Sequence, residues 1–340
     1  MKILYCVNGE GMGHSIRSKT IIDELKKHHT LYLVASGKAY RFFSKKYPLV
    51  RVGSFNITYR NNSVDYLLTT INNIIKLPFL ILHSLRLISL FLRFRPDVVI
   101  TDVEPFGAYY SYLFRKKCIS LDNQHIFNTK LDKKTDFLID KLVSIALVPK
   151  ADHYLVTTFF YPKKKNKKTL LFPPVIRKQI QKKKPKDKGH ILVYQTSKSD
   201  RSLVPTLKKL DQDFILYSRN KEKQIKNIKF KRFSEKEFIK DLAGCRAVIT
   251  NGGFTVISEA LYLQKPILSV PVKNQYEQIR NAIHLQRAGY GMHCKEISYK
   301  NIERFLSNIN TYKNNLRTYK KQNNNKIIDA LDRLLRQAKS

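Results

Sequence analysis

The sequence predicts an α/β protein of two domains, each a mainly parallel sheet with helices on both faces. Three observations predict it. At 340 residues the chain exceeds one ordinary domain. Short apolar runs alternate with helically spaced ones in both halves, the β-α-β rhythm of a parallel sheet. Between the halves, residues 163–188 hold twelve Lys or Arg against one acid, Asp187, together with Pro173, Pro174 and Pro185, the composition of a solvated linker. The expected divisions are residues 1–172, a basic linker at 173–189, residues 190–322 and a basic amphipathic tail at 323–340.

In the first half, Lys2–Val7 reads as a strand running into Asn8–His14, which carries Gly9, Gly11 and Gly13. A helix from about Ser15 to Lys27 follows, with Ile16, Thr20, Ile21 and Leu25 turned inward. Leu31–Ala35 and Leu49–Val52 are further strands. From Leu77 to Phe94 the chain is apolar except for a stripe of His83, Arg86, Ser89 and Arg93. Lys76 and the arginines interrupt the run of roughly 20 apolar residues that a membrane span needs. The segment is therefore either a buried core helix or an in-plane helix with cations at headgroup level. Pro96 ends it. Asp97–Thr101, Cys118–Leu121 and His153–Val156 are strands. Their carboxyl ends deliver Asp102-Val103-Glu104-Pro105, Asp122-Asn123-Gln124-His125 and Thr157-Thr158. In an open α/β sheet the ligand crevice lies at such ends.

The second half begins with strands at Ile191–Gln195, Phe214–Tyr217 and Ile228–Phe230 and a helix from Glu235. Ala247–Thr250 then meets Asn251-Gly252-Gly253 and a helix carrying Val256, Ile257, Ala260 and Leu261 inward. A strand, a Gly-Gly turn and a helix start place free N–H groups and the positive end of the helix dipole at one point, an anion site. Ile267–Val272 is the next strand, followed by a helix bearing Gln275, Gln278 and Asn281. In the tail, Ile327, Ile328, Leu331, Leu334 and Leu335 share one face.

The net charge of +38 asks for an anionic partner, whether phosphorylated substrate, anionic lipid or nucleic acid, although the wealth of Lys, Asn and Ile traces part of it to genome base composition. Cys6, Cys118, Cys245 and Cys294 form no CxxC or Cys/His pattern and read as buried, reduced thiols of a cytoplasmic protein. Gly9 and Glu10 cut the first apolar run too short for a signal peptide.

Two pieces of the chain resemble one family. Gly9-Glu10-Gly11-Met12-Gly13-His14-Ser15-Ile16-Arg17 is similar to the GxGxGHxxR opening of a group of GT-B glycosyltransferases, and residues 102–105 and 122–125 fit the same half. Thr250–Ala282 resembles the nucleotide-sugar motif in the C-terminal half of that superfamily, which includes the MurG-type and UDP-glucuronosyltransferase-like enzymes (glycosyltransferase family 28 C-terminal domain). The two motifs stand in the family's order, about 240 residues apart. The resemblance implies a GT-B fold, two Rossmann-like α/β/α domains facing across a cleft, with a nucleotide-sugar donor, UDP-linked, on the C-terminal one. It implies that Gly252, Gly253, Phe254 and Thr255 cradle the diphosphate. Glu259 would accept from the ribose, Gln275 or Gln278 with Asn281 would meet the sugar or phosphates, and Phe233 would pack on the base. Acceptor contacts would come from Gly11, Gly13, Arg17, Glu104, Asn123, Gln124 and His125.

Glycosyl transfer needs an acceptor hydroxyl deprotonated as it attacks the anomeric carbon, and neutral imidazole does this near pH 7. His14, following a Gly-rich turn at a strand end, is the candidate base; Asp102 is its rival or its orienting group. Arg17, one turn on, meets an acceptor phosphate or a structural carboxylate. Three other motifs fail. The Gly9–Gly13 loop lacks the later acid of a dinucleotide site, because the second strand ends in Ser36-Gly37. Ser36-Gly37-Lys38-Ala39 lacks P-loop spacing. Asp211-Gln212-Asp213 mimics a DxD metal motif but falls where a turn is due. No metal and no cofactor is therefore expected, with backbone amides and the helix dipole receiving the departing diphosphate. The expected activity is metal-independent, inverting transfer to a lipid-linked or cell-envelope hydroxyl at the inner face of the cytoplasmic membrane. The alternatives are a sugar-nucleotide 2-epimerase of the same fold and a non-enzymatic nucleic-acid-binding protein. Epimerase relatives place paired glutamates close behind the Gly-Gly turn, where this chain has a single Glu259. The nucleic-acid reading lacks any aromatic reading surface or helix-turn-helix, so no nucleic-acid partner is expected.

Overall fold

The computed structural model describes residues 1–195, 202–218 and 222–339, so Ser340, the last residue of the expected tail, lies outside them. The chain divides into two compact units. One comprises Met1–Thr58, Tyr66–Val175 and Asn323–Ser340, and the other Tyr59–Asp65 and Ile176–Gln322.

The elements up to the boundary run β1 (Lys2–Val7), α1 (Met12–Leu25), β2 (Thr30–Ala35), α2 (Gly37–Phe43), β3 (Leu49–Arg51), β4 (Tyr59–Arg60), β5 (Ser63–Val64), α3 (Tyr66–Ser84) and α4 (Arg86–Phe94). Then come β6 (Val98–Asp102), α5 (Pro105–Leu113), β7 (Lys117–Asp122), a 3-10 turn (Gln124–Asn128), α6 (Leu138–Leu147), β8 (His153–Thr157) and β9 (Thr169–Phe172). The first sheet has the order β3-β2-β1-β6-β7-β8-β9, and its strands are parallel throughout. Strands covered on both faces must be apolar on both, and β1 shows it. Ile3, Tyr5 and Val7 join one core with Ile21, Ile22 and Phe43, while Leu4 and Cys6 join another with Leu80, Leu87, Leu90, Phe91 and Tyr110. The basic stretch at 163–188 contains β9, an edge strand paired with β8 just before the expected linker; the Lys run masked this four-residue strand.

The remaining elements are α7 (Lys178–Gln181), β10 (Ile191–Tyr194), α8 (Leu203–Leu207), β11 (Phe214–Ser218), β12 (Lys223–Ile225), β13 (Ile228–Arg232), α9 (Glu235–Gly244), β14 (Ala247–Thr250) and α10 (Phe254–Tyr262). They continue with β15 (Ile267–Ser269), α11 (Tyr276–Arg287), β16 (Gly291–His293), α12 (Tyr299–Ser307), α13 (Ile309–Leu316) and α14 (Asn325–Lys339). The second sheet runs β12-β13-β11-β10-β14-β15-β16, parallel except for the β12–β13 pair. The expected strand Ile267–Val272 stops at Ser269, and the chain leaves the sheet toward Pro271.

Helix α14 belongs to the first unit. Ile327, Ala330, Leu331, Leu334 and Leu335 are buried in the core that α1 and α2 share. The amphipathic stripe of the tail thus completes a domain that began about 300 residues earlier. The apolar stretch at Leu77–Phe94 is not one helix. Tyr66–Phe94 is long and apolar enough by composition to cross a membrane, yet it breaks at Leu85 into α3 and α4.

Candidate active site

In each sheet the chain crosses from one side of its first strand to the other, between β1 and β6 in the first and between β10 and β14 in the second. Ligands of open α/β sheets bind at the carboxyl ends beside such a switch point. The predicted polar loops leave these strands.

After β1, Gly9 passes so close to α2 that a Cβ would lie 2.0 Å from the Ser36 carbonyl oxygen, and its N–H donates to Ser36 Oγ at 2.9 Å. Helix α1 starts at Met12 with Gly11 as N-cap, about three residues earlier than the sequence pattern suggested. Gly13 and His14 therefore sit in its first turn. His14 Nδ1 lies 2.8 Å from Asp102 Oδ1 at the end of β6. One turn on, Arg17 donates from Nε to Asp102 Oδ2 at 2.7 Å, from Nη2 to Oδ1, and from Nη1 to Asn123 Oδ1. Ser18 Oγ donates to Asp102 Oδ2 at 2.9 Å. Asp102 is fully buried. Burial alone would raise its carboxyl, but Arg17 and His14 outweigh that and hold it below the usual carboxylate range.

His14 Nδ1 is also 2.8 Å from Arg17 Nη2. One ring nitrogen cannot both donate to Asp102 and accept from Arg17. The ionised carboxylate is the stronger partner for an N–H, and Arg17 Nη2 already donates to the same carboxylate. In the neutral ring this places the proton on Nδ1 and leaves Nε2 with its lone pair.

Glu104, Asn123 and His125 bond within the protein. Glu104 is the N-cap of α5, accepting from Gly107 N–H at 2.7 Å and Phe106 N–H at 3.3 Å. Its carboxyl is pushed up to about 7 by burial, with the two N–H groups pulling the other way. His125 is buried, with Nδ1 2.7 Å from Asp122 Oδ2 and its ring 4.8 Å from that of Tyr154. Asn123 is the acceptor for Arg17, while the side chain of Gln124 is half-buried. Of the two partners expected for Arg17, the structure shows a carboxylate, that of Asp102.

In the second unit, Gly252 adopts φ +93°, and a Cβ there would lie 2.8 Å from Ser269 Oγ and 2.9 Å from the Gln278 carbonyl. Gly253, the N-cap of α10, is different. Its φ of −61° suits any residue and a Cβ would meet nothing within 4 Å. The helix start is therefore open at Gly253 and Thr255 is half-buried beside it, whereas Phe254 is buried. Asn281 Nδ2 donates to the Gly252 carbonyl at 3.0 Å, and Gln278 Oε1 accepts from Val272 N–H at 3.0 Å. Gln275 caps α11 by accepting from the Gln278 N–H. Of these three side chains only Asn281 bonds to the turn itself, while Gln278 and Gln275 bond at the approach to α11. Phe233 is 45% exposed and its ring packs against Phe238, Tyr194 and Tyr217. Asp211-Gln212-Asp213 is a turn between α8 and β11, with Gln212 bonded to the Gly189 carbonyl. Among the described residues no three His, Cys, Asp or Glu side chains gather as a metal site.

Residues 1–310 match the profile described as glycosyl transferase family 1. The chain belongs to that family. No curated protein matches it by sequence. Among solved structures, the spinosyn forosaminyltransferase SpnP superposes with a TM-score of 0.68 at 11% identity, covering 98% of this chain and 99% of its own. A UDP-glucosyltransferase from Polygonum tinctorium reaches 0.68 at 11% identity, over 100% and 99%. Phytolacca americana UGT2 reaches 0.66 at 12%, over 99% and 98%. This family 1 transferase accordingly has the GT-B fold.

Several residues that the sequence pattern did not single out stand beside the expected ones in the transferase. Arg177, two residues past the unit boundary, is buried and donates from Nε to Glu259 Oε1 at 2.6 Å and from Nη2 to Oε2 at 2.5 Å. Its Nη1 reaches Glu235 at 3.1 Å. Glu259, expected at a ribose, is itself only 1% exposed, with both oxygens held by Arg177. Burial raises its carboxyl and Arg177 counteracts this. Arg177 lies in a basic stretch that reads as linker, so nothing in the pattern marks it. Tyr194 and Tyr217 look like ordinary strand residues until the fold brings them to Phe233.

Proposed function

We propose that this transferase moves a sugar from a nucleotide-sugar to a hydroxyl acceptor by direct, inverting displacement. The observation that carries the reading is His14, its Nδ1 held at 2.8 Å by a buried, ionised Asp102. A carboxylate so placed fixes the ring and its tautomer and steadies the imidazolium that forms. His14 Nε2 takes the acceptor's O–H proton as that oxygen bonds to the anomeric carbon. The carbon–oxygen bond to the donor diphosphate breaks, and its electron pair leaves with the nucleotide.

The donor diphosphate belongs at the start of α10, where Gly253 leaves room and the helix presents free N–H groups to developing charge without a metal. Phe233 offers a ring for the base and Glu259 is the candidate ribose acceptor. Gln275, Gln278 and Asn281 are the candidates to meet the sugar or the phosphates, and Asn281 also bonds to the Gly252 carbonyl. UDP is supported by two of the similar structures, one described as a UDP-glucosyltransferase and one complexed with UDP-2-fluoro-glucose. On the acceptor side Gly11, Gly13 and Gln124 are the candidate contacts, with Arg17, Asn123, Glu104 and His125 supporting them from behind. The apolar Leu77–Phe94 segment and the surplus of cations favour a lipid-linked or cell-envelope acceptor, met by a cytoplasmic enzyme resting on the inner membrane face.

The test is to incubate the purified protein with a panel of nucleotide-sugars and a membrane lipid extract, measuring released nucleotide. His14→Ala should cut turnover by about 10²–10⁴ with donor affinity intact. Turnover surviving in His14→Ala would remove the base, and no nucleotide release from any donor would remove the reading.

A further inference from the structure

We infer that the outer surface of α3, α4, α5 and α6 is a single face built to lie in the plane of an anionic lipid bilayer. Of the 24 large hydrophobic side chains that stand exposed among the described residues, 20 fall between Leu67 and Ile145. The sequence pattern pointed to Leu77–Phe94 alone. The structure adds the first half of α3, the end of α5 and the whole outer side of α6. Ile75 is 72% exposed, Tyr112 70% and Leu138 67%. Patches of this extent on a soluble protein mark a partner.

The four helices form one layer over one side of the first unit's sheet. Leu80 of α3, Leu87 and Phe91 of α4 and Tyr110 of α5 share the core that covers Leu4, Cys6, Val34 and Val99. Tyr109 of α5 donates its hydroxyl to the Ala146 carbonyl of α6 at 2.8 Å. On the opposite side of the sheet, α1, α2 and α14 expose none of the 24. The asymmetry is between two layers of one sheet.

Two observations commit the occupant to a bilayer. The first is charge. Residues 66–96 contain no acid, and Lys76, Arg86, Arg93 and Arg95 stand exposed among the apolar side chains. Lys150 lies 5.7 Å over the Tyr112 ring. Such a face suits acyl chains bordered by anionic headgroups. A second copy pairing through it would set the same cations against themselves. The second is the inner side. Were α3 and α4 to cross the membrane, Leu80, Leu87, Leu90 and Phe91 would have to leave the sheet and uncover Leu4, Cys6, Val34 and Val99. In-plane seating keeps both faces apolar-matched.

This deepens the membrane part of the proposed function but is independent of its chemistry, because vesicle binding needs neither donor nor turnover. The full-length protein should float with vesicles of phosphatidylcholine and phosphatidylglycerol and bind pure phosphatidylcholine more weakly. Leu138→Ser with Leu142→Ser on α6, both exposed and hence neutral for folding, should weaken flotation by roughly ten-fold or more. Their melting temperature and release of nucleotide to a water-soluble acceptor should match wild type. Flotation that is absent, or unchanged in the α6 variant, overturns the inference. So does sedimentation showing a dimer that the α6 substitutions dissociate, which would make the face an interface between copies.

Discussion

Arg177 grips Glu259 as a fork, two parallel N–H donors at 2.6 and 2.5 Å on the two carboxylate oxygens, with both side chains nearly out of water. The pair ties the first residues of the second unit to the second turn of α10. A buried pair of this kind adds little net stability, but breaking it strands a charge at a cost of about 3–5 kcal/mol. Arg177→Met should therefore melt well below wild type, and Arg177→Met combined with Glu259→Met should recover much of the loss. Under the proposed donor role there is a second signature. Without Arg177 the causes that remain, burial and Glu235, both raise the Glu259 carboxyl. UDP affinity of Arg177→Met should then climb with pH as Glu259 ionises, measured by titration calorimetry. A parallel pH response in wild type would show that Arg177 does not set that charge.

The two glycines of the turn should separate fold from ligand. Gly253→Ala adds a methyl into open space at an ordinary φ. The lost N-cap preference and the reduced unfolded-state entropy roughly cancel, so stability should move by less than about 1 kcal/mol. Gly252→Ala meets Ser269 and the Gln278 backbone at positive φ and should destabilise by about 1–3 kcal/mol. If a diphosphate docks at α10, Gly253→Ala weakens UDP binding about ten-fold or more. Unchanged UDP affinity in a stable Gly253→Ala protein would move the diphosphate elsewhere.

The sequence pattern exposed what depends on local periodicity. The continuous burial of Ile3–Val7, the Gly-Gly turn before Phe254 and the polar clusters at strand ends all follow from residues within a few positions of one another. It missed what depends on distant pairing. Arg177 looks like one more cation in a basic run until α7 and α10 bring it to Glu259. Nor did the pattern show that Glu104 caps α5 and that Asn123 accepts from Arg17. A carboxylate at a strand end is equally suited to a ligand or to the N–H groups of the next helix. Only the backbone path decides. The same holds for the apolar face, where α5 and α6 each carry too short a run to stand out alone.

Glu104 predicts a pH dependence of stability. Its carboxyl is pushed up to about 7 in the fold by burial, against about 4.3 in an unfolded chain. The unfolded state therefore loses this proton first as pH rises. The contribution of Glu104 is fully present below about pH 4 and is lost by the time pH passes about 7. Glu104→Gln cannot ionise and keeps an oxygen for the Gly107 N–H. The stability of Glu104→Gln relative to wild type should rise between these limits by about 3 kcal/mol. Denaturant melts at pH 4.5, 6 and 8 read this directly, and a difference independent of pH would show that Glu104 titrates normally.

In the proposed mechanism Asp102 acts through His14, and a double-mutant cycle can tell this from a direct role. Asp102→Asn removes the anion that keeps the proton on Nδ1, so the ring can flip its tautomer and lose Nε2 as acceptor. Turnover should fall on the order of 10³–10⁴, with donor KM unchanged because the proposed donor contacts lie in the second unit. Some loss of stability is expected as well, since Arg17 is left buried beside a neutral amide. Ser18→Ala removes one donor at 2.9 Å and keeps the carboxylate, and should cost at most about ten-fold in rate. The decisive quantity is the double variant. If Asp102 only orients His14, then His14→Ala with Asp102→Asn turns over no more slowly than His14→Ala alone. Losses that multiply would mean that Asp102 contributes to the reaction by a route that does not pass through the imidazole.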